Sequence, residues 1–372
     1  MVNLTPYMRE RLGKRERDQE KRFLPKRTWR FDFASNDYLG FARSPLLRER
    51  ILRSSGHMDC VGATGSRLLT GNMELAEDVE GELARFFGFP SALIFSSGFA
   101  LNCGLLAALC DADDAIVMDE NVHASFKNGL KLAKAPGYFF RHNDLMQLED
   151  RLQRLQTSTR AIFVVVESLY SMDGDMVALP ELLQVCERYD ARLIIDEAHA
   201  IGACGQRGRG LVESASAQER VFACVVTFGK AFGCHAGALL GSPELVSYVQ
   251  NFCHSFIYTT GLPSFSLLAI REALALFAED PLPLLNLQKN IKVFNRHLGM
   301  GERRASPIYS FPFADPCRLR AAAKNLQEKG YGILPIYSPT VRKGSERLRV
   351  SVHAHNTESE LLGCANELGA WL

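Results

Sequence analysis

The 372-residue sequence has almost no net charge: 43 Lys and Arg stand against 42 Asp and Glu, a balance of +1. With neither sign in excess, nothing in the composition invites nucleic acid or a strongly acidic partner. The ten cysteines include no C-x-x-C pair, which removes the usual zinc and thioredoxin-like spacings. Those in apolar runs, Cys103, Cys110 and Cys224, read as reduced core thiols of a cytoplasmic protein. No internal repeat and no low-complexity tract is present, and no signal-peptide-like apolar region opens the chain. One uncharged run, Ala92 to Cys110, is long enough to raise the question of a membrane span. Ser96-Ser97-Gly98 breaks it and Asn102 follows, so it reads as a buried strand, a turn and a buried helix, with no span.

What the sequence does have is apolar material, 47% of its residues, enough for a large core. Length predicts about two domains. Residues 1–30 hold ten Lys and Arg against four Asp and Glu; this is a solvated amphipathic helix or a basic arm over an anionic substrate. From about residue 75, short apolar runs alternate with helical patterns. Ala92–Phe95, Ala115–Met118, Ala161–Val166, Arg192–Ile195, Val221–Thr227 and Ala236–Leu240 read as strands. Glu74–Gly88, Leu182–Tyr189 and Ser264–Phe277 read as helices. This is an α/β pattern with a mostly parallel sheet covered on both faces. After "EDPLPLL" (279–285) a smaller α+β unit follows, with a helix near 317–329, a proline-rich bend at Leu334–Thr340 and a strand at Leu348–Val352. The expected division is an N-terminal arm (1–45), a large domain (46–278) and a small domain (279–372).

Four polar clusters end or follow the strands, where ligands bind in open α/β sheets. They are Ser97-Gly98-Phe99, the stretch from Glu167 through Ser171 to Asp175, Asp196-Glu197-Ala198-His199, and Thr227 with Lys230. Lys230 lies between glycines at the end of a buried strand, where a charge is costly unless paired or neutralised. An ion pair with Asp196 is one reading. The other is an aldehyde cofactor, pyridoxal phosphate, which needs a lysine for covalent attachment and an acid beside its ring nitrogen. Asp196 would keep that nitrogen protonated. Thr227 and the helix start at Ser97–Phe99 would supply phosphate donors. A P-loop is excluded because Ala231 follows the lysine. No metal is expected, since His199 has no second ligand nearby.

"SNDYLG" (35–40), "GATGSRLLTGN" (62–72), "SSGFALN" (96–102), "DENVHASF" (119–126), "ESLYSMDGD" (167–175), "DEAHAIGACGQRGRG" (196–210), "TFGKAFG" (227–233), "FIYTTGLP" (256–263) and "SPTVRKGSERLRVSV" (338–352) occur in order across nearly the whole chain. As an ordered series they resemble the α-oxoamine synthase family of pyridoxal-phosphate enzymes. The resemblance implies a type I pyridoxal-phosphate transferase fold. That fold has a mostly parallel seven-stranded sheet flanked by helices and a smaller α+β C-terminal domain. It also implies a homodimer with its active site at the subunit interface. By motif position Lys230 would hold the cofactor and move a proton. Asp196 would pair with the ring nitrogen, His199 would bond near the phenolic oxygen, and His123 would stack on the ring. Glu167 and Ser171 would line the pocket. Thr227 would bind phosphate together with Thr259 of the partner subunit, and Arg349 would hold the amino acid's carboxylate. Asn36, Ser66 and Thr340 fall among the substrate-binding positions, and Lys21 and Arg22 are candidates for contact with the acyl substrate. The implied reaction condenses an amino acid with an acyl-CoA or an acyl carrier protein thioester, with loss of CO2. Ser66 stands where glycine-specific members tend to carry threonine, which favours alanine.

Overall fold

The computed structural model describes residues 4–17, 21, 24, 29–56, 58–301 and 305–372. Its twelve strands in chain order are β1 (Phe31–Asp32), β2 (Ser91–Phe95), β3 (Ala115–Asp119), β4 (Gly137–Phe140), β5 (Ile162–Glu167), β6 (Arg192–Asp196), β7 (Ala223–Thr227), β8 (Gly237–Gly241), β9 (Ile308–Pro312), β10 (Tyr331–Gly332), β11 (Leu334–Ile336) and β12 (Arg347–Ser351). Seven of them form the main sheet in the order β2-β8-β7-β6-β5-β3-β4. Only β8 runs antiparallel to its neighbours; the remaining pairs are parallel.

The reason for this placement lies in the period of the strands. β5 reads IFVVVE and is buried at every position. Successive side chains point to opposite faces. Ile162, Val164 and Val166 therefore join the core on one face, while Phe163 and Val165 join the core on the other. A strand apolar on both sides suits only a sheet sandwiched between helix layers. The helix Gly98–Leu109 packs over the second face and buries Leu101, Leu105 and Leu106. The expected strand, turn and buried helix over 92–110 are thus present. Among the described residues, no helix is long and apolar enough to cross a membrane.

The C-terminal part holds an antiparallel sheet in the order β11-β12-β9, with helices Pro316–Glu328 and Glu358–Gly369. The proline-rich stretch expected as a bend contains strand β11. Pro335 is accommodated there because β11 is an edge strand, where a missing N–H costs no ladder bond. β1 pairs in parallel with β10. Further on, the Ser351 N–H donates to the Phe33 carbonyl at 2.8 Å and the Ala354 N–H to that of Tyr38 at 2.7 Å. The segment around residues 31–38 is thereby stitched to the C-terminal sheet. The basic segment contains a helix, Thr5–Arg17, with no buried residue.

One ionic cluster ties the end of β3 to the loops beyond β4 and β5. His142 bonds Asp119 at 3.0 Å through Nδ1 and Asp175 at 2.7 Å through Nε2. Burial disfavours its charge, but the two carboxylates prevail and raise its pKa to about 10. A raised folded-state pKa contributes stability that is fully present below about pH 6.5 and lost as pH rises through about 10. Melting temperatures of wild type and His142→Gln are therefore expected to converge between pH 7 and 10; curves that stay parallel would remove this role.

Candidate active site

Three strands that lie side by side deliver the chemistry. Glu167 ends β5, Asp196 ends β6 and Thr227 ends β7, and Glu167 is the register partner of Asp196. The parallel direction brings all three to one edge of the sheet, beside the turn that carries Lys230. They open onto a cleft of about 310 Å³ that Ser97, Gly98, Phe99, His123, His199, Lys230 and Asn36 also line.

Asp196 lies close enough to Lys230 to favour its charge, yet no salt bridge joins them. Both carboxylate oxygens of Asp196 are held by neutral donors, Oδ2 by the Asn102 side-chain amide at 2.9 Å and Oδ1 by the Ala198 N–H at 2.9 Å. The simple ion-pair reading is therefore not what the fold builds. Burial lowers the Lys230 pKa below that of an ordinary lysine, and the attractions of Asp196 and Glu167 only partly oppose this. A lowered pKa makes the neutral, nucleophilic amine more accessible. Burial and the Asp196 charge push the Glu167 carboxyl up to about 8. Glu167 also accepts the His123 N–H at 2.5 Å. His123 caps the helix Ala124–Leu132 and pairs through Nδ1 with the Ser125 hydroxyl at 2.7 Å. Burial favours its neutral form, and the Lys230 charge adds to this. Burial, followed by the charges of Lys230 and Arg349, holds His199 well below the usual imidazole range.

The donor set fits pyridoxal phosphate. Thr227 Oγ1 is buried without a hydrogen-bond partner among the described residues, an expensive state unless a ligand completes it. The Thr227 side chain lies against the start of the helix Gly98–Leu109, whose first-turn N–H groups have no intrahelical acceptor. Ser97 caps that helix by accepting from the Ala100 N–H at 3.1 Å. Gly98 is required here, because a Cβ would lie 2.3 Å from Thr227 Cγ2. Asp196 supplies an anchored carboxylate for a protonated ring nitrogen. Gly98→Ala is expected to weaken cofactor binding roughly ten- to a hundredfold, the equivalent of about 1–3 kcal/mol of overpacking. Titrating cofactor-free protein with pyridoxal phosphate measures this, and unchanged affinity would remove the cradle.

Arg349 lies on β12, and its guanidinium is buried. Nε donates to the Ser171 carbonyl at 2.6 Å, Nη1 to the Ser351 hydroxyl at 2.9 Å and Nη2 to Asn36 Oδ1 at 2.9 Å. Asn36 lines the cleft, so the arginine's charge is fixed at its border. Other expected positions lie elsewhere. Ser66 bonds the Ile257 carbonyl at 2.6 Å and bridges to Thr260. Thr259 lines a separate small pocket with Arg67 and Phe256. Thr340 is exposed. Lys21 pairs with Glu16. Arg22 lies outside the described residues.

Sequence reasoning did not single out Asn102, Tyr38 or Ala198. Asn102 was signalled by its type, as the only amide in the otherwise apolar helix GFALNCGLLAAL. Tyr38 and Ala198 carried no signal beyond their places inside quoted motifs. His235 also lines the cleft. Cys234 points elsewhere, toward the Phe232 and Ala269 carbonyls, and burial pushes its thiol up to about 12.

The family model for aminotransferase class I and II matches residues 30–368. The 8-amino-7-oxononanoate synthase of Emericella nidulans is 34% identical over 99% of this chain and 96% of its own. Among solved structures, 8-amino-7-oxononanoate synthase from Francisella tularensis is 26% identical with a TM-score of 0.79, covering 93% of this chain and 98% of its own. Sphingomonas wittichii serine palmitoyltransferase is 25% identical with a TM-score of 0.88, covering 99% and 96%. The chain thus belongs to the class I and II aminotransferase family and, within it, to the α-oxoamine synthases: it is an acyltransferase that works with pyridoxal 5'-phosphate.

Proposed function

We propose that the protein condenses L-alanine with a pimeloyl thioester, carried on CoA or on acyl carrier protein, to 8-amino-7-oxononanoate, CO2 and free thiol. This places it in biotin synthesis, as a cytoplasmic homodimer. The observation that carries the reading is the near full-length match to an 8-amino-7-oxononanoate synthase.

The residues of the cleft suit the steps. Arg349 and Asn36 provide a cationic and an amide donor for the amino acid's carboxylate at the cleft border. Lys230, whose amine is favoured by burial, takes the Cα proton and later returns one. When bound, pyridoxal phosphate supplies an electron-accepting ring for the carbanion, and Asp196 keeps its nitrogen protonated. The α-carbon so deprotonated would attack the thioester carbonyl and expel the thiol, and the resulting β-keto acid would lose CO2 and take a proton back from Lys230. Two histidines whose neutral form is favoured, His123 and the buried His199, can hydrogen-bond the acyl oxygen without adding positive charge.

A second reading has an observation of its own. The likeness to serine palmitoyltransferase structures is closer in shape, with TM-scores up to 0.90. Titrating the cofactor-loaded protein with alanine, glycine, serine and threonine while following its visible band separates the two. Alanine is expected to shift the band at the lowest concentration. A preference for serine would move the assignment to sphingoid-base chemistry, and a preference for glycine to aminolevulinate or ketobutyrate chemistry.

A further inference from the structure

Tyr38 is completely buried, yet its hydroxyl stands at the junction of three groups of the cleft. The oxygen lies 2.7 Å from His199 Nδ1, 3.3 Å from Asn36 Oδ1 and 3.5 Å from Arg349 Nη2. A tyrosine hydroxyl has one proton to give. Arg349 can only donate, so toward it the oxygen is an acceptor. Asn36 Oδ1 already accepts from Arg349 at 2.9 Å. Suppose the proton of His199 sat on Nδ1. The tyrosine oxygen would then face two donors, and its own proton would be left with the long contact to Asn36. Suppose instead that Tyr38 donates to Nδ1. Its shortest contact then becomes a good O–H···N bond, and the arginine faces two acceptors. The second arrangement puts the tyrosine proton on the shortest contact, 2.7 Å, where the first would leave it on the 3.3 Å one.

We infer that Tyr38 is a positioning residue: its hydroxyl donates to His199 Nδ1 and holds the imidazole as the neutral tautomer with its proton on Nε2. Two further observations agree. Burial outweighs the Arg349 charge and pushes the Tyr38 phenol up to about 12, so the O–H is retained at any working pH. Burial and the Lys230 and Arg349 charges near His199 oppose a second proton on the ring. His199 lines the cleft, and its Nε2 makes no hydrogen bond to a described residue. The cleft is therefore offered an N–H donor, suited to an oxygen of cofactor or substrate, and is not offered an imidazole base. Proton abstraction falls to Lys230 alone. Because Asn36 and Arg349 meet the same hydroxyl, the amino-acid carboxylate and the orientation of His199 are linked through one atom.

The consequence for catalysis rests on the reading of this cleft given above; the tautomer itself does not. The test is long-range ¹H–¹⁵N correlation of the full chain labelled with ¹⁵N-histidine, recorded with pyridoxal phosphate bound and after its removal. The His199 signals are assigned by their loss in His199→Gln. In wild type, Nδ1 is expected to be pyridine-like and Nε2 pyrrole-like from pH 6 to 9. In Tyr38→Phe, which keeps the ring, His199 is expected to shift toward the other tautomer or a mixture. The kcat is expected to fall about tenfold, the scale of one oriented hydrogen bond. A pyrrole-like Nδ1 in wild type overturns the inference, and that measurement needs no variant to fold. An unchanged tautomer in a folded Tyr38→Phe also overturns it. A confirmed tautomer in a protein that acylates no amino acid would sink the functional reading and leave this one standing.

Discussion

Replacing Lys230 with alanine is expected to abolish turnover while leaving the protein folded. The residue sits in the turn between β7 and β8, half-buried; its carbonyl accepts the Gly233 N–H at 2.9 Å, a bond alanine keeps, and its side chain makes no hydrogen bond or salt bridge to a described residue. Its removal breaks no network. It leaves Asp196 on its neutral donors, Asn102 and Ala198. Glu167, already pushed up to about 8 by burial and by Asp196, loses one favourable charge and protonates more readily. No unpaired buried ion is created, so circular dichroism and the melting temperature are expected to change little. Activity is different. In the proposed mechanism Lys230 both attaches the cofactor and moves the α-proton, and proton transfer alone contributes typically 10²–10⁴-fold. A loss of about 10⁴-fold or more in kcat is expected, read as thiol release from the acyl thioester, together with loss of covalent cofactor retention after borohydride reduction. A variant with one-tenth of wild-type activity would show that another group takes the proton.

Asp196→Asn is expected to be nearly as severe for a different reason. The change removes a charge and keeps the shape. Asn102 can adapt to it, because Asn102 Oδ1 has no partner and a flipped amide would accept from the new one. Stability is thus expected to survive. In the proposed mechanism, however, the ring nitrogen of the bound cofactor would lose the anion that keeps it protonated, and the ring would become a weaker electron acceptor. Removing one preorganised electrostatic partner typically costs about 10²–10³-fold in kcat, and a loss near the upper end is expected here because the site is buried. The KM for the amino acid is expected to move far less, since Arg349 and Asn36 are untouched. Single-turnover kinetics separate the two parameters. An equal loss in both would mean that Asp196 acts through binding.

The strand ends were readable because the strands themselves are. AIFVVV and RLII leave little choice but buried parallel strands, and Glu167 and Asp196 follow each run directly. That these two are register partners was not readable, since register depends on how the strands align in the folded sheet. β4 was missed because it is a short edge strand with only Phe140 buried, which blunts its apolar pattern. β11 was taken for a bend because Pro335 argues against a strand unless its edge position is known. The Lys230 turn drew attention through the cost of burying a charge. The Tyr38–His199 bond joins residues 161 positions apart, and no local pattern encodes it. Arg349 was named by motif position, but two of its three supports, Ser171 and Asn36, come from distant parts of the chain and meet it only after folding; the third, Ser351, lies two residues on along the same strand.

The most direct test is a competition. The cofactor-loaded protein is incubated with equal concentrations of alanine, glycine and serine and with both pimeloyl-CoA and palmitoyl-CoA, and the products are identified by mass spectrometry. The account predicts that 8-amino-7-oxononanoate dominates, that CO2 is released in equal amount, and that both vanish in Lys230→Ala. A dominant glycine- or serine-derived ketone, or product formation that survives Lys230→Ala, would contradict it.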